Sequence, residues 1–354
     1  MKRTGLRCIP LMLAFAAGHT LAADNTLRLL TWADYAPKDV IEQFKKETGI
    51  TVEVTLSNNE EMISKLRATG GSGYDLVQPS QDRIVSAQKE FRIYKPLDLS
   101  KVDRKLFIPS MLSATEKITT FDGKVYGLPY VWGTDGLVVN TKAAQIADYT
   151  DLCNPAYAGK VSMRLKRPTL MAFAFALGEN PFKLYSNPQQ YGSLMNKVGD
   201  KLIACKKNVK YFFENKEQML GDLRNGALVG AMMWDSGGWK LNSENPTLKF
   251  VAPKSGAMGW VDTYALPARG KNDTAAYKWI NFTMRPEIAA KIAKSVGNFS
   301  ASQGADKLAD PKLKAQFAAS FPPAVMQKIN WYPAVPAGLE EIEGRVLDRV
   351  KAAS

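Results

Sequence analysis

The stretch LRLLTWADYAPKDVIEQFKKETGITVEVTLSNNEEMISKLRATGGSGYDLVQP, residues 27–79, decides the fold. Leu27–Thr31 alternates as a short strand, and Asp34–Pro37 makes a turn. Val40–Glu47 has a helical period, with Val40, Ile41 and Phe44 on one face and Lys45, Lys46 and Glu47 outside. Gly49 ends it, and Thr51–Leu56 alternates as a second strand. Asn59–Ala68 reads as a helix with Met62, Ile63 and Leu66 inward and Gly70–Gly71 as its stop. Tyr74–Val77 is a short buried strand before Pro79. The order βαβαβ predicts an α/β fold with a parallel sheet and right-handed crossovers. Ligands at such sheets bind beyond the carboxyl ends of the strands. Trp32–Tyr35 and Ser80–Asp82 follow those ends here.

Outward from this stretch the pattern continues. Val125–Leu137 is rich in aromatics and glycine, and Val138–Asn140 looks like a strand entering new material. Strands are expected at Lys160–Met163, Leu228–Trp234, Leu248–Val251 and Gly259–Ala265. Pro168 suits the first position of a helix running to about Leu177, with Gly178 as its stop. Further helices are expected at Glu217–Asn225, Thr274–Met284, Glu287–Ser295, Val325–Ile329 and Leu339–Val350. No internal repeat or long linker interrupts them. A chain of 354 residues exceeds the usual single-domain length, so two lobes are expected. Leaving one lobe near residue 137 and returning near 255 gives two crossing segments.

Composition narrows the chemistry. The single histidine, His19, lies in a segment that reads as an export leader: basic Met1–Arg7, apolar Ile9–Ala17, then small residues at Ala22 and Ala23. Cleavage after Ala22 or Ala23 leaves an exported chain without histidine. Ser-His-Asp and Cys-His mechanisms are then excluded, as is a His-ligated zinc site. The formal charge is +13, or +10 once Lys2, Arg3 and Arg7 are set aside. No basic-aromatic stripe accompanies it, so nucleic acid is not an expected partner. Cys153 and Cys205 are the two remaining cysteines, and an oxidising compartment favours a disulfide between them. No Walker-type phosphate loop is present.

Several further motifs stand in order along the chain. They are Thr31-Trp32-Ala33-Asp34-Tyr35, Phe44-Lys45-Lys46-Glu47-Thr48-Gly49-Ile50, and Tyr74-Asp75-Leu76-Val77 with Pro79-Ser80. Then come Gly127-Leu128-Pro129-Tyr130-Val131-Trp132-Gly133, Met232-Met233-Trp234, Pro253-Lys254-Ser255-Gly256-Ala257, Trp260-Val261-Asp262 with Leu266-Pro267-Ala268, and Tyr277-Lys278-Trp279-Ile280-Asn281-Phe282 before Met284-Arg285-Pro286. Together, from about Asp24 to the C-terminus, they resemble the periplasmic spermidine/putrescine-type solute-binding proteins, the receptors of ABC importers. The resemblance implies a type II clamshell of two α/β lobes with a two-strand hinge and a ligand cleft between them. The expected division is a leader at 1–23, lobe 1 at 24–136 plus about 256–302, lobe 2 at 137–255, and C-terminal helices at 303–354 packing across the lobes. It further implies a monomeric periplasmic receptor without cofactor or chemistry, partnered by ABC permease subunits and a separate ATPase.

A small organic cation is held by aromatic faces and carboxylates. By the resemblance Trp32, Trp234 and Trp260 face the ligand and Asp262 grips an amine. Trp260 and Asp262 are two apart, so in a strand they share a face. The competing reading for any tryptophan is core, and Trp239 and Trp279 are left there. Asp34, Tyr35, Ser80, Gln81, Asp82, Asp235 and Tyr332 also fall at expected cleft positions. For Asp34 and Asp82 a solvated turn residue is the alternative.

One departure matters. Polyamine receptors carry acidic residues near the start of the helix at Pro168, where this chain reads Arg164-Leu165-Lys166-Arg167-Pro168-Thr169. Lys166 stands where an Asp is expected, and Thr169 where a Glu is expected. Helix N-termini with Arg or Lys suit anions. The expectation is therefore a bipolar cleft. It holds an amine at Asp262 and a carboxylate or phosphonate at Arg164 and Lys166, with Arg167 pointing elsewhere. The solute classes are an ω-amino acid such as 4-aminobutyrate or 5-aminovalerate, or an aminoalkyl phosphonate, with putrescine or spermidine as the alternative. Solvated basic residues, or an internal pair with Asp235 or Asp82, compete with that reading. Ferric-ion capture through Tyr130 and Tyr332 and an enzyme on the same clamshell are the remote alternatives.

Overall fold

The computed structural model describes residues 25–353. The leader read at residues 1–23 lies outside them. Strand β1 (Thr26–Thr31) pairs in parallel with β2 (Thr51–Leu56) on one side and β3 (Leu76–Val77) on the other, in the order β2-β1-β3. The crossover helices are α1 (Lys38–Thr48) and α2 (Asn59–Thr69). Helix α1 buries Val40 and Phe44 and stops at Gly49, whose φ of 75° suits glycine. Helix α2 is capped by the Asn58 side chain, which accepts from the Glu61 N–H at 3.1 Å. Phe44, Tyr130, Tyr264 and Trp279 fill the core on one side of this sheet, and Leu30, Met62, Leu66 and Ile84 on the other.

A second sheet of eight strands is organised by one long strand, Leu128–Asn140. The return strand Met258–Tyr264 runs antiparallel along its first half, with Trp260 opposite Gly133 and Asp262 opposite Val131. Strands Gly230–Trp234 and Leu248–Val251 flank its second half, with Trp234 opposite Asp135. Val161–Met163 and Val209–Phe212 extend the sheet. The first half of the long strand joins the core of the β1–β3 lobe through Leu128, Tyr130 and Val131. Its second half joins the cores of the other lobe through Leu137, Val138 and Val139. This is a two-lobed α/β clamshell whose lobes share strands Leu128–Asn140 and Met258–Tyr264.

The C-terminal segment packs on the second lobe and also touches the first. Leu339, Val346 and Val350 of helix Leu339–Ala352 are buried with Tyr191, Leu194 and Val198 of helix Pro188–Lys206. Across the cleft, Glu340 pairs with Arg83 at 2.9 Å, and the Val335 N–H donates to the Asp82 carbonyl at 3.0 Å. The disulfide Cys153–Cys205 is formed, with Cα atoms 4.7 Å apart across a separation of 52 residues. It ties the end of helix Pro188–Lys206 to the turn Tyr149–Cys153. Closing a loop of that size contributes about 4 kcal/mol in the chain-entropy account. Among the described residues no helix is long and apolar enough to cross a membrane.

Candidate functional site

A cavity of about 1090 Å³ lies between the lobes, beyond the carboxyl ends of β1 and β3. The shared strands form its floor. Residues directly opposite in an antiparallel pair project to the same face, as do residues two apart. Trp260 opposite Gly133, and Trp234 opposite Asp135, therefore put both indoles and one carboxylate on one face. Gly133 is required for this arrangement: a Cβ there would come within 2.6 Å of the Trp260 ring. Trp32 closes the side from the β1 loop, its indole N–H donating to the Gln78 carbonyl at 2.7 Å.

Asp262 is buried on this floor. It accepts from the Tyr35 hydroxyl at 2.5 Å and from the Ser80 hydroxyl at 2.6 Å, and Asn59 in turn donates to Ser80 at 2.9 Å. Burial nevertheless pushes its pKa up to about 7, outweighing both hydrogen bonds. Asp135 is equally buried, and burial raises it to about 7 as well. Arg164 opposes that shift, while Asp235 and Asp262 add to it. Asp82 adds to the shift of Asp262. Neither Asp262 nor Asp135 makes an ion pair among the described residues. Arg164 lies over Trp234, its guanidinium carbon 4.7 Å from the ring centroid.

A second cluster in the wall is built differently. Arg167, Asp82 and Tyr332 line the cavity wall, with Glu343 behind them. The Arg167 guanidinium donates to Asp82 at 3.1 Å, pairs with Glu343 at 3.0 Å, bonds the Tyr185 hydroxyl, and lies 5.1 Å from the Tyr332 ring centroid. Tyr191 donates to Glu343 at 2.5 Å. Burial opposes the charge on Arg167, but Glu343, Tyr185 and Asp82 hold its pKa above the usual value. Asp82 stays above its ordinary value because burial outweighs Arg167 and Arg83.

The structure brings together at the cavity Trp32, Asp34, Tyr35, Ser80, Asp82, Arg164, Lys166, Trp234, Trp260, Asp262 and Tyr332. Gln81 is turned away and accepts from Thr115 at 3.0 Å. Asp235 sits under the floor, accepting from Thr134 at 2.8 Å and from Asn298 at 2.5 Å. Asp34 adopts φ of 69° at the rim and meets Lys216 of the opposite lobe at 3.2 Å. Lys166 faces Glu214 at 4.0 Å and caps the helix Arg167–Ala176 without a side-chain bond. Thr169 is fully buried and bonds Met232 and the Arg164 carbonyl, away from the cavity.

Arg167 corrects an expectation. It does not point elsewhere but forms the cavity wall. The alternation that turned it away assumed a strand through residue 166, and the strand ends at Met163. Asp135 was missed. Its signal was present, since it is two residues from Gly133 in a run of strand-forming residues. Reading the strand from Val138 instead of Leu128 hid that spacing.

The family model described as bacterial extracellular solute-binding protein matches residues 39–319. A spermidine/putrescine-binding periplasmic protein of Haemophilus influenzae is 31% identical over 333 residues, covering 92% of this chain and 88% of that protein. The spermidine/putrescine-binding periplasmic protein of Escherichia coli is 31% identical over 310 residues, covering 86% and 85%. A solved structure described as a spermidine/putrescine ABC transporter of Listeria monocytogenes superposes with a TM-score of 0.80 at 26% identity, over 93% of this chain and all of that one. The chain belongs to the bacterial extracellular solute-binding proteins, and within them to the spermidine/putrescine type. It is a transporter component and not an enzyme.

Proposed function

We propose that the protein captures a small amine-bearing solute in the periplasm, after removal of its leader, and delivers it to the permease of an ABC importer. The observation that carries this is Asp262: a buried carboxylate without an ion pair among the described residues, in a cavity that Trp32 and Trp260 also line. An ammonium there gains a charge-assisted hydrogen bond and aromatic faces together. Capture draws the lobes closed about the shared strands, because the solute bonds groups from both.

The finer reading is an ω-amino acid or aminoalkyl phosphonate. Its support is Arg164, which presents a guanidinium to the cavity beside Trp234 and makes no ion pair among the described residues. A carboxylate or phosphonate suits that guanidinium while the amine lies at Asp262 and Asp135. One observation supports the alternative, a short diamine: Asp135 is a second buried carboxylate lining the cavity, and the relatives named above are called spermidine/putrescine-binding. Calorimetry on refolded protein with 4-aminobutyrate, 5-aminovalerate, 2-aminoethylphosphonate, putrescine and spermidine separates them. Binding of the zwitterions with Arg164→Ala abolishing it supports the bipolar cleft. Binding of putrescine alone, unaffected by Arg164→Ala, removes it.

A further inference from the structure

Asp82 and Tyr332 are the kind of residues that hold an amine, a buried carboxylate and an aromatic face, and both line the cavity. In this protein they are already engaged on a cation. The guanidinium of Arg167 bonds Asp82, Glu343 and Tyr185 and lies against the ring of Tyr332. Its surroundings have the makeup of a cation receptor, and the cation is tethered to the protein. Helix electrostatics do not account for it. Arg167 opens helix Arg167–Ala176, where a positive side chain is disfavoured by the helix dipole. Two buried carboxylates on a single cation over-compensate that cost.

A solute extending from Asp262 toward this end meets a fixed positive charge. A further ammonium there faces like charge in a poorly hydrated wall and finds Asp82 engaged. A carboxylate gains little, since the guanidinium is already satisfied by two others. We infer that Arg167 is a specificity-determining residue that closes one end of the cleft with a built-in cation. It restricts the solute to a short chain and rejects polyamines with a third nitrogen. This rests on the amine reading of the Asp262 end.

The test is a calorimetric length series on the full mature chain, freed of bound solute by refolding. It uses putrescine, cadaverine and spermidine with 4-aminobutyrate and 5-aminovalerate. Wild type is expected to bind its best short solute at least tenfold more tightly than spermidine. Arg167→Gln removes the charge but keeps hydrogen-bonding groups near Asp82 and Glu343, and Arg167→Ala opens the wall outright. Either is expected to narrow the gap at least tenfold in favour of spermidine. The comparison within wild type needs no variant, so it holds even if Arg167→Ala fails to fold. Spermidine binding wild type as tightly as the short solutes overturns the inference. So does a folded Arg167→Gln that keeps the wild-type length ranking. If no amine of any length binds wild type, the amine reading itself has failed, and the length limit with it.

Discussion

Two carboxylate clusters of the cleft are made from the same residue types and do opposite things. At one, Asp262 is buried and accepts from the hydroxyls of Tyr35 and Ser80, with no ion pair among the described residues. At the other, Asp82 and Glu343 are buried around Arg167. The first arrangement leaves carboxylate charge without a counter-ion, held at a cost in stability that a bound cation relieves. The second has its counter-ion built in and contributes to the folded state. A buried aspartate beside aromatics is therefore not by itself evidence of a ligand contact. What decides is whether the protein supplies the cation.

The contrast is broken most severely by mutating the satisfied end. Glu343→Ala leaves Arg167 with Asp82 alone and a buried charge under-compensated. Removing one partner of a buried ion pair typically costs about 3–5 kcal/mol. Urea unfolding of solute-free protein is expected to show a loss in that range, and a loss below about 1 kcal/mol would mean the network is solvated. The same experiment on the other end should give the opposite result. Asp262→Asn removes a carboxylate whose charge is unfavourable in the fold, so solute-free stability should hold or rise. Amine affinity should fall by roughly 2–4 kcal/mol, about 30- to 1000-fold, since one partner of a charge-assisted contact is gone. A variant that binds amines at wild-type strength would place the ammonium elsewhere, with Asp135 the first candidate.

Proton linkage sharpens the comparison without mutation. Asp262 and Asp135 are raised by burial to about 7 from the 3.8 of an ordinary aspartate. Between these values the folded protein holds more protons than the unfolded chain. Their contribution to stability is then complete below about pH 4 and lost as pH rises through 7. Amine binding runs the other way, because it needs the ionised form. Affinity is expected to fall about tenfold per pH unit below 7 for each carboxylate that engages the solute. Binding at pH 6 should release protons, seen as a buffer-dependent calorimetric enthalpy.

Much of the fold was legible because local signals agreed. Gly49 and Gly70 stop helices at positive φ, and Asn58 caps the helix it precedes. Trp260 and Asp262 share the cavity because a strand does alternate there. The unread parts have physical causes. Helix Pro188–Lys206 carries Gly192 and Gly199, which look like breakers. Gly199 is instead a contact point, where a Cβ would come within 2.8 Å of Val346 on the C-terminal helix. The helix Asp235–Glu244 starts in Asp-Ser-Gly-Gly, and Gly238 lets it sit against Phe250 and Val138. In both cases glycine serves tertiary approach, which no local rule reports. Arg167 is the same lesson in charge: its partners are 85 and 176 residues away in sequence.

The smallest expected effect lies at the rim. Asp34 and Lys216 bridge the lobes at 3.2 Å, but their side chains are 50% and 42% exposed. A pair so hydrated is worth about 0–1 kcal/mol and weakens with salt. Lys216→Ala should therefore speed solute release by no more than about fivefold at low salt, an effect largely gone at 1 M salt. Arg167–Asp82 also bridges the lobes, but its buried geometry should resist salt. Asp34 carries a second term, because its φ of 69° favours glycine. Asp34→Gly should lose the rim pair while relaxing the backbone, and Asp34→Ala should lose the pair and keep the strain. Stopped-flow release rates should match for the two variants, while their melting temperatures should differ, with glycine higher. Equal melting temperatures would mean the loop relaxes freely, and unequal release rates that the Asp34 backbone, and not its charge, holds the rim.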